Sequence, residues 1–159
     1  MQAVRLGLFV ALVPFASFAD PLLVSPSADY APTSGVAGNI KSECTLPAAQ
    51  AESVLAVLNA AGITAQAAPT GAVPAKGRFL KLEITSAVSA GNAFTGHSKQ
   101  VTTSAHLFQN GKEIGQTTQT RDSMGGVFGG YRGACNILHR CTNTLGKDIA
   151  EWVKTQPGS

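Results

Sequence analysis

The sequence predicts an α+β domain with the element order β-α-β-β-β-α, one mostly antiparallel sheet carrying two helices on one face. Three observations predict it. Phe79 to Ala87 and Gln100 to Phe108 alternate apolar and polar residues, the period of half-buried strands. Asn110-Gly111 follows the second run at once, and both residue types tolerate the positive φ of a type I′ hairpin turn. Near the C-terminus, Leu138, Cys141, Leu145, Ile149 and Trp152 step by three or four and form one apolar stripe.

The elements follow in order. Residues 20–35 are rich in Pro, Ser and Ala and read as an irregular arm. Val36 to Ser42 reads as a short strand. Thr45-Leu46-Pro47 opens a helix, with Thr45 or Leu46 near the cap and Pro47 in the first turn. Val54, Leu55 and Leu58 recur at helical spacing, and Gly62 ends that helix. Residues 62–77 carry Gly and Pro breaks and read as a loop.

In the first alternating run Leu80, Leu82 and Ile84 face one side, and Lys81, Glu83 and Thr85 the other. Ser89 to His97 reads as a connection. In the second run Val101, Thr103, Ala105 and Leu107 share a face opposite Thr102, Ser104, His106 and Phe108. Glu113 to Thr120 returns antiparallel after the turn. A glycine-rich stretch, 123–133, leads into a helix from about Ala134 to Lys154. Gly146 weakens that helix by about 1 kcal/mol relative to Ala, and lets it lie close to the sheet. The far face of the sheet then shows Lys81, Glu83, Thr85, Thr102, Ser104 and His106 to water or to a partner.

The first nineteen residues have the three parts of an export signal. Arg5 is the basic head, Leu6 to Phe15 an apolar run, and Ser17-Phe18-Ala19 places small residues at a cleavage site before Asp20. The expected organisation is therefore a signal peptide at 1–19, an arm at 20–35, one α/β domain at 36–155 and a tail at 156–159. No cysteine follows the cut to carry lipid, and no later apolar run is long enough to span a bilayer. The mature chain is expected to be periplasmic or secreted. The full chain carries +3, and the leader holds one basic residue and no acidic one, leaving +2 on the rest. That charge is too small and too evenly spread to imply a nucleic-acid partner.

An exported chain meets oxidising conditions, so its thiols tend to pair. Cys44, Cys135 and Cys141 are odd in number, so one stays free or bonds elsewhere. On a continuous helix Cys135 and Cys141 lie about 9 Å apart along the axis and cannot bridge. Cys44 bonded to one of the two is favoured; a bridge between the two requires a helix that starts after Cys135. Such a bond would tie the start of the first helix to the start of the last. Cys141 also fits a buried thiol. The cysteines with His97, His106 or His139 show no metal-ligand spacing, so no metal and no cofactor are expected.

Four segments carry a resemblance: Ile40-Lys-Ser-Glu-Cys44-Thr-Leu-Pro47, Asn110-Gly-Lys, Gly133-Ala-Cys-Asn-Ile-Leu-His-Arg-Cys141 and Leu145-Gly-Lys-Asp-Ile-Ala-Glu-Trp152. Together they resemble a group of small secreted or periplasmic proteins of Gram-negative bacteria with no assigned activity. The element order is similar to the small α/β domains of cell-envelope lipoproteins that assist assembly or secretion. The resemblance supplies no catalytic residues.

For chemistry, the glycine-rich segment is the first candidate. Backbone amides there, with Arg132, suit an anion, but neither the Gly-x-Gly-x-x-Gly nor the Gly-x-x-x-x-Gly-Lys-Ser/Thr spacing is present. Phe128 and Tyr131 on the same loop offer an apolar contact for another protein. Asp122, Ser123 and His139 can be assembled on paper, yet no Gly-x-Ser-x-Gly elbow supports a hydrolase. The expectation is a non-catalytic protein whose partner is another envelope protein or a second copy, with Phe128, Tyr131 and Arg132 as interaction candidates. The alternative is a small hydrolase or anion-binding enzyme centred on residues 122–139.

Overall fold

The computed structural model describes residues 20–92, 96–123 and 133–157. Its elements are β1 (Leu22–Val24), β2 (Asp29–Tyr30), α1 (Gly38–Glu43), α2 (Leu46–Ala60), β3 (Ala65–Ala67), β4 (Arg78–Asn92), β5 (Gly96–Gln109), β6 (Lys112–Ser123) and α3 (Ala134–Lys154). They form one sheet in the order β3-β1-β4-β5-β6, with β2 also beside β4. β4, β5 and β6 are the antiparallel meander expected from alternation. Asn110 and Gly111 turn at φ 52° and 78°, as a type I′ turn requires.

The helices lie on the face of Leu80, Leu82, Ile84, Val101, Ala105 and Leu107, all fully buried. α2 contributes Leu46, Ala51, Val54 and Leu58, and α3 contributes Leu138, Cys141, Leu145, Ile149 and Val153. α2 ends as expected. Gly62 has φ 82°, its amide donates to Asn59 O at 3.1 Å, and Ile63 N donates to Leu58 O at 3.0 Å. This pairing satisfies carbonyls that a helix end otherwise leaves open.

Several expectations are corrected. The supposed arm at 20–35 is part of the sheet. β1 runs parallel between β3 and β4, and Leu22 and Val24 are 2% and 0% exposed. The alternation was hidden because β1 spans three residues, with Pro21 and Pro26 close by. The strand expected over Val36 to Ser42 is instead occupied by helix α1, which begins at Gly38 and buries Ile40. The loop at 62–77 contains β3, which Asn59 holds by donating to Ala65 O and accepting from Ala65 N. The connection at 89–97 is largely strand, since β4 runs to Asn92 opposite Gly96.

The far face is not wholly open. Phe79 points away from the helices and is fully buried beside Phe108, their ring centroids 6.4 Å apart. Gly146 lies against α2 rather than the sheet. A Cβ there would sit 2.9 Å from Ser53 Cβ and 3.0 Å from the Ser53 carbonyl carbon. The two helices therefore touch backbone to backbone at this point.

Candidate interaction surface

The polar face of β4, β5 and β6 is built by alternation and then adjusted by bulges. β4 bulges at Thr85, so Ile84 pairs with Thr103 while Ser86 pairs with Thr102. Thr85, expected as an ordinary face residue, occupies the bulge and its hydroxyl donates to Thr102 O at 3.3 Å. A second shift lies between Leu107 and Phe108, where Leu107 faces Gly115 and Phe108 faces Glu113. It brings Glu113 onto the same face as His106.

Two kinds of pairing follow. Thr102 and Thr120 hydroxyls lie 2.9 Å apart, and Ser104 and Thr118 hydroxyls 2.8 Å apart, so each pair forms a cross-strand hydrogen bond. Toward the hairpin end, charges link up. Lys81 Nζ donates to Glu83 Oε1 at 2.7 Å and approaches Asp29 Oδ2 at 3.9 Å. His106 Nδ1 lies 3.1 Å from Glu113 Oε1, and its Nε2 lies 4.0 Å from Glu83 Oε2. The hydrogen bond that Lys81 donates to Glu83 raises the Lys81 pKa, so this ammonium is charged at neutral pH. The face is a set of short polar groups held by one another, which keeps them fixed at low conformational cost.

On the helix side, Gln50 is fully buried on the apolar stripe of α2. Its amide donates to Thr142 O at 3.4 Å, and its carbonyl oxygen accepts from Thr103 Oγ1 at 3.3 Å. One side chain thus joins α2, β5 and α3. Gln50, four residues before Val54 on the same helical stripe, is the signal for it in the sequence.

The cysteine alternatives resolve to one bond, Cys44–Cys135, with Cα atoms 5.1 Å apart and a sequence separation of 91. It ties Cys44, at the end of α1 and two residues before α2, to the first turn of α3. Cys141 is a free, buried thiol. Burial, with a smaller contribution from Asp122, raises its pKa, so it is protonated at neutral pH and a poor nucleophile.

Phe128, Tyr131 and Arg132 lie outside the described residues, as does most of the glycine-rich segment. Asp122 stands opposite Gln100 at the end of β6, and His139 lies in the second turn of α3. The structure gives these two side chains no hydrogen bond or ion pair with each other. Among the described residues no group of three His, Cys, Asp or Glu side chains could hold a metal ion, and no helix is long and apolar enough to cross a membrane.

No family model and no curated protein matches the sequence. Solved structures do match the fold. A Xanthomonas campestris protein of the DUF330 family superposes with a TM-score of 0.57 at 14% identity, covering 91% of each chain. The PelC dodecamer of Paraburkholderia phytofirmans gives 0.52 at 13% identity, covering 86% of this chain and 93% of the other. A minor lipoprotein of Acinetobacter baumannii gives 0.50 at 12% identity, covering 84% and 89%. This chain has their fold. The expected similarity to small α/β envelope lipoproteins therefore holds at the level of fold.

Proposed function

We propose that this chain is a non-catalytic protein of the bacterial cell envelope, periplasmic or secreted, that works by binding another envelope protein or a second copy of itself. The observation that carries the reading is the polar sheet face, whose hydroxyl and charged groups are paired with one another and presented together. Such a face is preorganised for contact. On this face the imidazole of His106 is held between the carboxylates of Glu113 and Glu83. The fold is shared with a lipoprotein and with a subunit of a dodecamer, which supports an envelope setting and a role in assembly without supplying either. The export signal read from residues 1–19 supports the same compartment.

Two double variants test this. Thr118→Lys with Thr120→Lys places two charges on the exposed hydroxyl rows, and Phe128→Ala with Tyr131→Ala truncates the glycine-rich segment. Oligomeric state by light scattering and cross-linked partners from an envelope extract are compared with the parent chain. At least one double variant should lose a partner or an assembly state while keeping its unfolding transition. A parent chain that is monomeric and captures no envelope protein would defeat the reading, as would two variants that behave like the parent.

A further inference from the structure

The two edges of the sheet differ. β3 is three residues long, and Pro69 follows close behind it; shortness and proline both close an edge to further pairing. β6, at the other edge, is twelve residues long and contains no proline. Among the described residues it pairs with β5 alone. Its bulge lies near the hairpin, and from Gly115 to Ser123 the pairing with β5 runs unbroken. Gly115 to Thr120 carries no charge. The outer backbone amides and carbonyls of such a strand are donors and acceptors at fixed spacing, which another strand can take up.

The faces of β6 decide which strand fits. Gln116, Thr118, Thr120 and Asp122 stand on the polar face, opposite His106, Ser104, Thr102 and Gln100. Gly115, Thr117, Gln119 and Arg121 stand on the helix face, where Arg121 holds Asp148 of α3. A two-fold axis normal to the sheet would reverse a second β6 and keep polar face beside polar face. Only registers that pair even positions with even positions then match. The unbroken run is centred on Gln119, and pairing about that residue uses all of it. Gln119 then meets its own copy, Thr118 meets Thr120, Thr117 meets Arg121 and Gln116 meets Asp122. No like charges stand opposite, and the Asp122 carboxylate faces an amide able to donate. The hydroxyl rows also continue across the join. The Ser104–Thr118 pair of one copy, 2.8 Å apart, runs into the Thr120–Thr102 pair of the other, 2.9 Å apart.

We propose that two copies of this chain join through β6, antiparallel about Gln119, into one continuous sheet. This rests on the reading of a protein-binding chain and names the partner as a second copy at this edge.

Thiol pairing in the mature chain reads the register. Gln116→Cys and Asp122→Cys are made separately in a Cys141→Ala background, which removes the free thiol. In a mixture the two positions stand directly opposite, with Cα atoms about 4.5–5.5 Å apart, within reach of a disulfide. Alone, each position lies six residues along the strand from its own copy, about 20 Å, and cannot bridge. Oxidation should cross-link the mixture and leave each separate chain uncross-linked. Sedimentation reads the strength. Gln119→Lys and Gln119→Glu should each weaken self-association about threefold to fivefold by setting like charges opposite at the axis, and mixing them should restore it. A parent chain that stays monomeric overturns the proposal. So does a dimer in which the mixed thiols bridge no more readily than either variant alone. So does a mixture of the two Gln119 variants, each folded, that is no tighter than either one. In each case the broader reading survives if the chain still dimerises elsewhere or still captures an envelope protein, and it falls with the proposal if neither occurs.

Discussion

Gly146 sets two effects against each other at a single residue. Within an isolated helix, alanine is favoured over glycine by about 1 kcal/mol. Here a Cβ would meet the Ser53 Cβ and carbonyl carbon at 2.9 and 3.0 Å, and neither atom can swing aside as a side-chain tip can. α2 would have to move, and forced overpacking costs about 1–3 kcal/mol. Gly146→Ala should therefore lower stability by about 1–2 kcal/mol in urea unfolding, despite the propensity gain. Gly115 makes the contrast. The nearest atom to a Cβ there is Gln156 Oε1, the end of a flexible side chain, so Gly115→Ala should cost less. A stabilised Gly146→Ala variant would show that the helices do not approach as described.

At the scale of elements, the bond between Cys44 and Cys135 holds the start of α2 against the start of α3. Closing a loop of this length restricts the unfolded chain, and on the chain-entropy estimate contributes about 4–5 kcal/mol. Cys44→Ala with Cys135→Ala should lose most of that in denaturant unfolding. Cys141→Ala should leave the bond intact, and mass spectrometry of the unreduced chain should find Cys141 as the free thiol. A mass showing Cys141 in a bridge would refute the pairing. The helices are further joined at Gln50, whose two hydrogen bonds reach both α3 and β5. Arg121 of β6 adds an outer clasp, donating to both carboxylate oxygens of Asp148 at 2.6 and 2.7 Å.

For the whole molecule, the decisive strand is β1, only three residues long yet carrying the core residues Leu22 and Val24. β1 fills the gap between β3 and β4, and Ser25 extends its role by donating its amide to Leu80 O and accepting from Leu82 N. A chain that begins at residue 36 would leave β3 without a neighbour and the edge of β4 bare. Such a truncation should show no cooperative thermal unfolding, whereas a chain that begins at Asp20 should. A cooperative transition from the shorter chain would return residues 20–35 to the status of an arm.

Much of this was readable from residue order, and the rest was not, for one reason. The long meander strands, the type I′ turn at Asn110-Gly111, the stop at Gly62 and the stripe of α3 are local patterns that repeat often enough to be read along the chain. β1, β2, β3 and α1 span two to six residues each, too few for a period to show, and their burial comes from distant neighbours. The same holds for function. Sequence placed the polar residues on one sheet face and narrowed the cysteines to a bond between Cys44 and one of two partners. Only the tertiary structure chose Cys135, buried Cys141, moved Thr85 into a bulge and left β6 at the edge of the sheet. Those outcomes depend on contacts between segments far apart in sequence, where packing rather than periodicity decides which side chains meet.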